Sequence, residues 1–151
     1  MRKEHDKEVG TMNALERITA RVCRLGHPDT PGTPIPLLTI EEFFDGNEHI
    51  GSIGCNLESG PPPSRFYEMF TRIAARPDVK DIRIQITMFD DPDWLFLDTV
   101  YIMTSANPDE VASWLDDDLK PDEVGEGFPP GQKFEPYTVP SGAGVICCWW
   151  D

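Results

Sequence analysis

The stretch from Asp81 to Ser105, DIRIQITMFDDPDWLFLDTVYIMTS, limits the folds open to this chain more than any other. Ile82, Ile84, Ile86 and Met88 alternate with Arg83, Gln85 and Thr87. That period of two, with β-branched residues on one side, describes a strand with one buried face. From Leu95 to Met103 the apolar character is nearly continuous: Leu97, Thr99, Tyr101 and Met103 share one side, and Phe96, Val100 and Ile102 share the other with Asp98. Such a run suits a central strand covered on both faces. Asp90-Asp91-Pro92-Asp93 between them is turn chemistry, so the pair is expected to be an antiparallel hairpin.

Around this hairpin the chain alternates helical and extended patterns. Leu15, Ile18, Val22 and Leu25 have the spacing of an amphipathic helix over Met12 to Leu25, stopped by Gly26. His27 to Pro36, with four prolines, reads as an extended linker. This helix could dock on the domain, contact another subunit or fray, and the sequence does not choose. Thr39 and Glu42 form a capping box that opens a short helix with Phe43 and Phe44. Ile50 to Leu57 is a glycine-punctuated strand candidate. Ser64 is an expected N-cap for a helix that buries Phe66, Phe70, Ile73 and Ala74 and ends before Pro77. Asn107-Pro108-Asp109-Glu110 starts another helix, and the acids Asp116 to Asp118 oppose its dipole and should end it early. Lys120 to Gly144 is a long loop with five prolines and five glycines, anchored by Phe128, Phe134 and Tyr137. Val145 to Trp150 is a final strand.

The order strand, helix, strand, strand, helix, strand implies an α+β fold. It is read as a four-stranded antiparallel sheet with two helices on one face, the split βαβ or ferredoxin-like arrangement, plus the N-terminal helix. Residues 1–36 form the N-terminal helix and proline-rich linker, and 37–151 a single domain. The strands after Ile50 and Leu95 are expected in the centre, and those at Ile82 and Val145 at the edges. Phe96, Val100 and Ile102, with alternate members of Ile146, Cys148 and Trp150, would then lie on the face without helices. The 120–144 loop, the N-terminal helix or another chain must cover them.

Charge decides which partners are plausible. The 151 residues carry a formal net charge of −14. Residues 1–26 hold six Lys/Arg against four Asp/Glu, whereas 78–151 hold four against sixteen, a net of −12. Nucleic acid and anionic membrane surfaces are disfavoured, because both are polyanions. A basic protein partner is favoured. The N-terminus lacks the apolar core of a secretory signal, and no run reaches the length of a membrane span. Cys23, Cys55, Cys147 and Cys148 form no CxxC, so reduced thiols in a cytoplasm are expected, with Cys147 and Cys148 on opposite faces of a strand.

Candidate chemistry is sparse. The acidic turn of Asp90, Asp91 and Asp93, with Asp98 beyond, lacks the spacing of a calcium loop and reads as a solvated tip rather than a metal site. Cys55, near His49 in sequence, could be an activated thiolate, but a buried strand cysteine is the simpler reading. The glycines around Ser141 precede a strand, the reverse of a phosphate cradle. No catalytic residue, metal or cofactor is assigned. The candidate partner-binding residues are Asp90, Asp91, Asp93, Asp116, Asp117 and Asp118, with Trp150 as an outward aromatic anchor.

The segments PLLTIEEFFDGNEHIGSIGCNL (Pro36 to Leu57) and DTVYIMTS (Asp98 to Ser105), with the ending WWD, resemble small acidic bacterial proteins of uncharacterised function. In size and charge the chain also looks like the immunity proteins that neutralise toxins in bacterial competition. The charge asymmetry, the long loop and the absence of a catalytic constellation favour a non-enzymatic, acidic protein-binding module, with immunity-like inhibition of a basic toxin as its sharpest form. The alternatives are a small enzyme or ligand-binding domain with a pocket between the sheet and the 120–144 loop, and a homodimer joined through the second sheet face.

Overall fold

A computed structural model describes residues 13–89 and 93–151. The start of the expected first helix and the turn residues Asp90 and Asp91 lie outside them. Among the described residues, four α-helices, a short 3-10 turn and four strands follow in order: α1 (Ala14–Val22), α2 (Ile40–Phe44), α3 (Pro63–Ala74), β1 (Val79–Met88), β2 (Phe96–Thr104), α4 (Pro108–Trp114), the 3-10 turn (Asp117–Leu119), β3 (Glu123–Glu126) and β4 (Gly144–Trp149). The fold class is α+β, with a four-stranded antiparallel sheet in the order β1-β2-β4-β3.

Two expectations about the sheet are corrected. Ile50 to Leu57 is not a strand: it runs through successive turns, with Gly51 and Gly54 at positive φ of 93° and 65°. The fourth strand comes instead from Glu123–Glu126, inside the segment read as loop, where only Val124 is a strong β-former. Because β3 pairs with β4, the C-terminal strand lies in the interior of the sheet and not at an edge. β1 is the other edge, as its alternation suggested. The β1–β2 hairpin forms in antiparallel register, with Ile82 opposite Ile102 and Ile84 opposite Val100.

The two sheet faces are both covered, but their apolar residues are distributed differently from the sequence reading. Ile82, Ile84, Ile86, Val100, Ile102, Ile146, Cys148 and Trp150 all face the helices, in one core with Phe43, Phe66, Phe70, Ile73, Val111 and Leu119. Fully burying side chains of this kind stabilises by about 1.5–3 kcal/mol each. The opposite face carries Tyr101, Met103, Val145 and Cys147, clothed by Leu37 and by Phe128, Phe134, Tyr137 and Val139. The chain's own loop, together with the segment ahead of α2, therefore covers the second face. Phe128 and Phe134 meet the Tyr101 ring at 4.8 and 5.8 Å between centroids. Ile35 N–H donates to the Lys133 carbonyl and Glu135 N–H to the Ile35 carbonyl, so the linker and the loop run as a parallel pair across the sheet.

Local sequence explains the helix ends. Asn13 with Glu16, Thr39 with Glu42 and Asn107 with Glu110 each close a reciprocal capping box. Helix α3 starts two residues earlier than an N-cap at Ser64 suggests, with Pro63 at its first position and Pro62 as the cap. The acids after α4 do mark its end, at Trp114. Helix α1 docks on the main core through Ile18 and Val22. Gly46 allows that approach: it has φ +77°, and a Cβ there would stand 2.4 Å from the Ala14 Cβ.

Candidate functional site

The one charged residue inside the apolar β2 run is Asp98, and the sheet makes a local exception for it. Gln85 pairs with Thr99, Ile86 with Leu97 and Met88 with Phe96, so Asp98 on β2 and Thr87 on β1 are each left out of the register. An extra residue of this kind is a β-bulge, which turns a side chain away from its expected face. Leu97 and Val100 both reach the helix-side core, while Asp98 and Thr99 between them turn to the other face. The parity read from sequence placed Asp98 with Val100 and Ile102. The bulge removes a carboxylate from that apolar core, where an unpaired charge would be very costly.

On the far face Asp98 is held by three donors. Its Oδ1 accepts from the Thr87 and Thr99 hydroxyls, the latter at 2.8 Å, and its Oδ2 accepts from the Trp149 indole N–H at 3.3 Å. A carboxylate has about four acceptor positions, so one on Oδ2 remains open. Among the described residues no Lys, Arg or His pairs with Asp98. The carboxylate borders a groove of about 410 Å³ between the sheet, the linker and the long loop. The sheet contributes Gln85, Ile86, Thr87, Asp98, Thr99 and Trp149 to it; Pro28, Ile35, Pro36, Phe89, Pro129 and Gln132 complete its walls. Tyr101 donates its hydroxyl to Gln85 Oε1, fixing that amide beside the groove. Burial, with the charge of Asp98 and the thiol of Cys147 nearby, holds the Tyr101 phenol far above its ordinary range.

The residues singled out from sequence are not brought together. Asp93 is exposed near the hairpin tip, and Asp90 and Asp91 lie outside the described residues. Asp116 and Asp118 face α3: Arg72 donates to Asp116 at 2.7 Å, and Arg65 pairs with Asp118 at 2.9 Å. Asp117 is fully exposed beside Lys120, at 3.4 Å. The expectation that Trp150 points outward is corrected. It is 2 % exposed, wedged edge-on against Phe66 and Phe70, and its indole N–H donates to the Leu119 carbonyl at 3.0 Å. Trp149 is the tryptophan that turns away from the helices. Its role and that of Thr87 were invisible without the bulge; the only signal was an aspartate in a run otherwise fit for burial.

The thiols are poor nucleophile candidates. Burial raises the Cys147 pKa, aided by Asp98 and Glu123, and burial pushes the Cys148 thiol up to about 12. Cys55 is exposed in a turn, not buried in a strand; its sulfur approaches the Asp151 carbonyl at 3.9 Å, while His49 packs edge-on against Phe96. Iodoacetamide at neutral pH is therefore expected to alkylate Cys55 first and Cys148 only on unfolding. Peptide mass mapping that finds Cys148 modified as fast as Cys55 would contradict this. Among the described residues no group of three or more His, Cys, Asp or Glu is placed to hold a metal ion, and no helix is long and apolar enough to cross a membrane.

Fold and groove together define a small α+β protein whose antiparallel sheet is clothed by helices on one face and by its own loop on the other. The chain belongs to the Uncharacterized protein YfbO family, which it matches over residues 13–148. It is similar to the Uncharacterized protein YfbO of Escherichia coli (strain K12), with 42% identity over 140 residues, 93% of this chain and all of the relative. The resemblance to an uncharacterised bacterial family is thereby met. No solved structure matches the chain.

Proposed function

We propose that the protein is a non-enzymatic binding module that engages a basic protein partner, and that the groove beside Asp98 is the centre of its contact surface. The observation that carries this reading is Asp98 itself: a half-buried carboxylate, preoriented by three donors and without a paired cation among the described residues. Its surroundings favour binding over catalysis. Thr87, Thr99 and Trp149 are committed to Asp98 and Tyr101 to Gln85, and burial raises the pKa of the neighbouring Cys147 thiol. The net charge of −14 would speed encounter with a cationic surface. Inhibition of a basic toxin, as an immunity protein, is the sharpest form of this reading, and its free thiols fit a cytoplasmic setting.

A second reading rests on the groove's position between sheet and loop, which would equally admit a small cationic ligand. Immobilised protein and its Asp98→Asn variant, challenged with bacterial extract, separate the possibilities. The wild type is expected to retain a basic protein that D98N releases, and moderate salt should weaken the retention. Identical retention by the two baits, or none that is specific at low salt, would remove the basis of the protein-binding reading.

A further inference from the structure

We propose that the Asp98–Trp149 corner of the groove receives an arginine guanidinium from the partner, an inference that rests on the binding reading above. The protein builds this pairing once already, on the same sheet face, for its own use. There the Asp81 Oδ2 accepts from the Tyr137 hydroxyl at 2.6 Å and from Arg83 Nε at 2.9 Å, and the guanidinium of Arg83 lies 5.0 Å from the centre of the Tyr137 ring. A carboxylate, an aromatic ring that donates to it and an arginine thus form one unit. Asp98 and Trp149 repeat two of its three members: an aromatic N–H donates to the same kind of carboxylate oxygen, at 3.3 Å. A second internal example, Arg76 at 4.0 Å over the Trp114 ring, shows an arginine of this fold resting on indole.

The chemistry of the corner selects guanidinium over ammonium. A lysine head concentrates three donors and is strongly hydrated, so its burial needs several acceptors at one point. Asp98 has one acceptor position open, and beside the amides of Gln85 and Gln132 the groove offers ring and proline surface from Trp149, Phe89, Pro36 and Pro129. A guanidinium is planar and weakly hydrated, can give one edge to the carboxylate and can lay its face on an aromatic or proline wall.

The test uses the full ¹⁵N-labelled chain and follows the Trp149 indole resonance, assigned by Trp149→Phe. The probes are N-acetyl-arginine-methylamide, its lysine counterpart and its uncharged citrulline counterpart. The arginine probe should shift the resonance along a saturable curve. The citrulline probe, the same shape without charge, should bind about tenfold more weakly or worse, as should the arginine probe on D98N. Citrulline or D98N matching wild type with arginine overturns the inference, and so does lysine binding as tightly as arginine. The citrulline comparison is made on wild-type protein, so a misfolded variant cannot obscure the result. If the arginine probe fails while D98N still releases a partner from the bait, the guanidinium assignment falls and the binding reading stands. If the probe binds but D98N retains its partner unchanged, the binding reading falls and with it the partner as the source of the arginine, while the guanidinium site itself stands.

Discussion

Trp150→Ala is expected to lower the stability of the protein by about 4 kcal/mol, a large fraction of the roughly 5–15 kcal/mol that a domain of this kind possesses. Two effects combine. Trp150 joins the C-terminal end of β4 to α3, meeting Phe66 at 6.1 Å and Phe70 at 6.0 Å in edge-to-face contacts. Removing the indole leaves a cavity that three surrounding elements cannot close. It also leaves the Leu119 carbonyl without the donor that the indole N–H supplies, and an unsatisfied buried acceptor costs about 1–3 kcal/mol. The adjacent Trp149→Phe should cost about 1 kcal/mol or less, because Trp149 is only half-buried and lies outside the helix-side core. Urea denaturation of the two variants separates the roles. Comparable losses, or a small loss for Trp150→Ala, would mean that the two tryptophans do not divide the inside from the groove.

The contrast between these neighbours also shows how far the sequence could be read. A strand places successive residues on opposite faces, so one inward and one outward tryptophan were legible; which was which required the phase of the strand. That phase was lost at Asp98. Counting by two along β2 ran straight through the bulge, put Asp98 with Val100 and Ile102, and sent the aliphatic face to the wrong side of the sheet. Periodicity cannot report an inserted residue, whereas the cost of burying an unpaired carboxylate could have. The capping box at Thr39 and the helix start at Asn107 were legible because the contacts that make them span three residues. Strand β3 was not: Glu-Val-Gly-Glu has little strand preference, and it is strand only because it pairs with β4, some twenty residues further on. The groove depends on the bulge and on the cover of the second face, so it too was out of reach of local pattern, although its place between sheet and loop was anticipated.

Arg21→Met should have the second large effect, about 3 kcal/mol, through the cover of the groove's face. Arg21 is an α1 side chain only 10 % exposed, paired with Glu42 at 2.8 Å and with Glu135 at 2.7 Å, and it also donates to the Leu37 carbonyl at 3.1 Å. It therefore ties three separate stretches together: the N-terminal helix, the capping residue of α2, and the loop that clothes Tyr101. Burial alone would make its charge unfavourable, but its two carboxylate partners outweigh that and raise its pKa. Replacing it by a methionine of similar reach keeps the packing and removes the charge. Glu135, itself 10 % exposed, then stays buried without a cation, and breaking such a pair from one side costs about 3–5 kcal/mol. The lower end is expected here because Glu42 is 34 % exposed and can turn to water. Glu135→Gln in the same background should restore about 1–2 kcal/mol, since it removes the charge left behind, and the double-mutant cycle measures that coupling. Hydrogen exchange gives the structural readout. In Arg21→Met the Ile35 and Glu135 amides, which join linker to loop across the sheet, should exchange faster than the β1–β2 ladder. If Arg21→Met lies within about 0.5 kcal/mol of wild type and those two amides keep their protection, then apolar contacts of Phe128 and Phe134 with Tyr101 hold the loop without help from the ion pair.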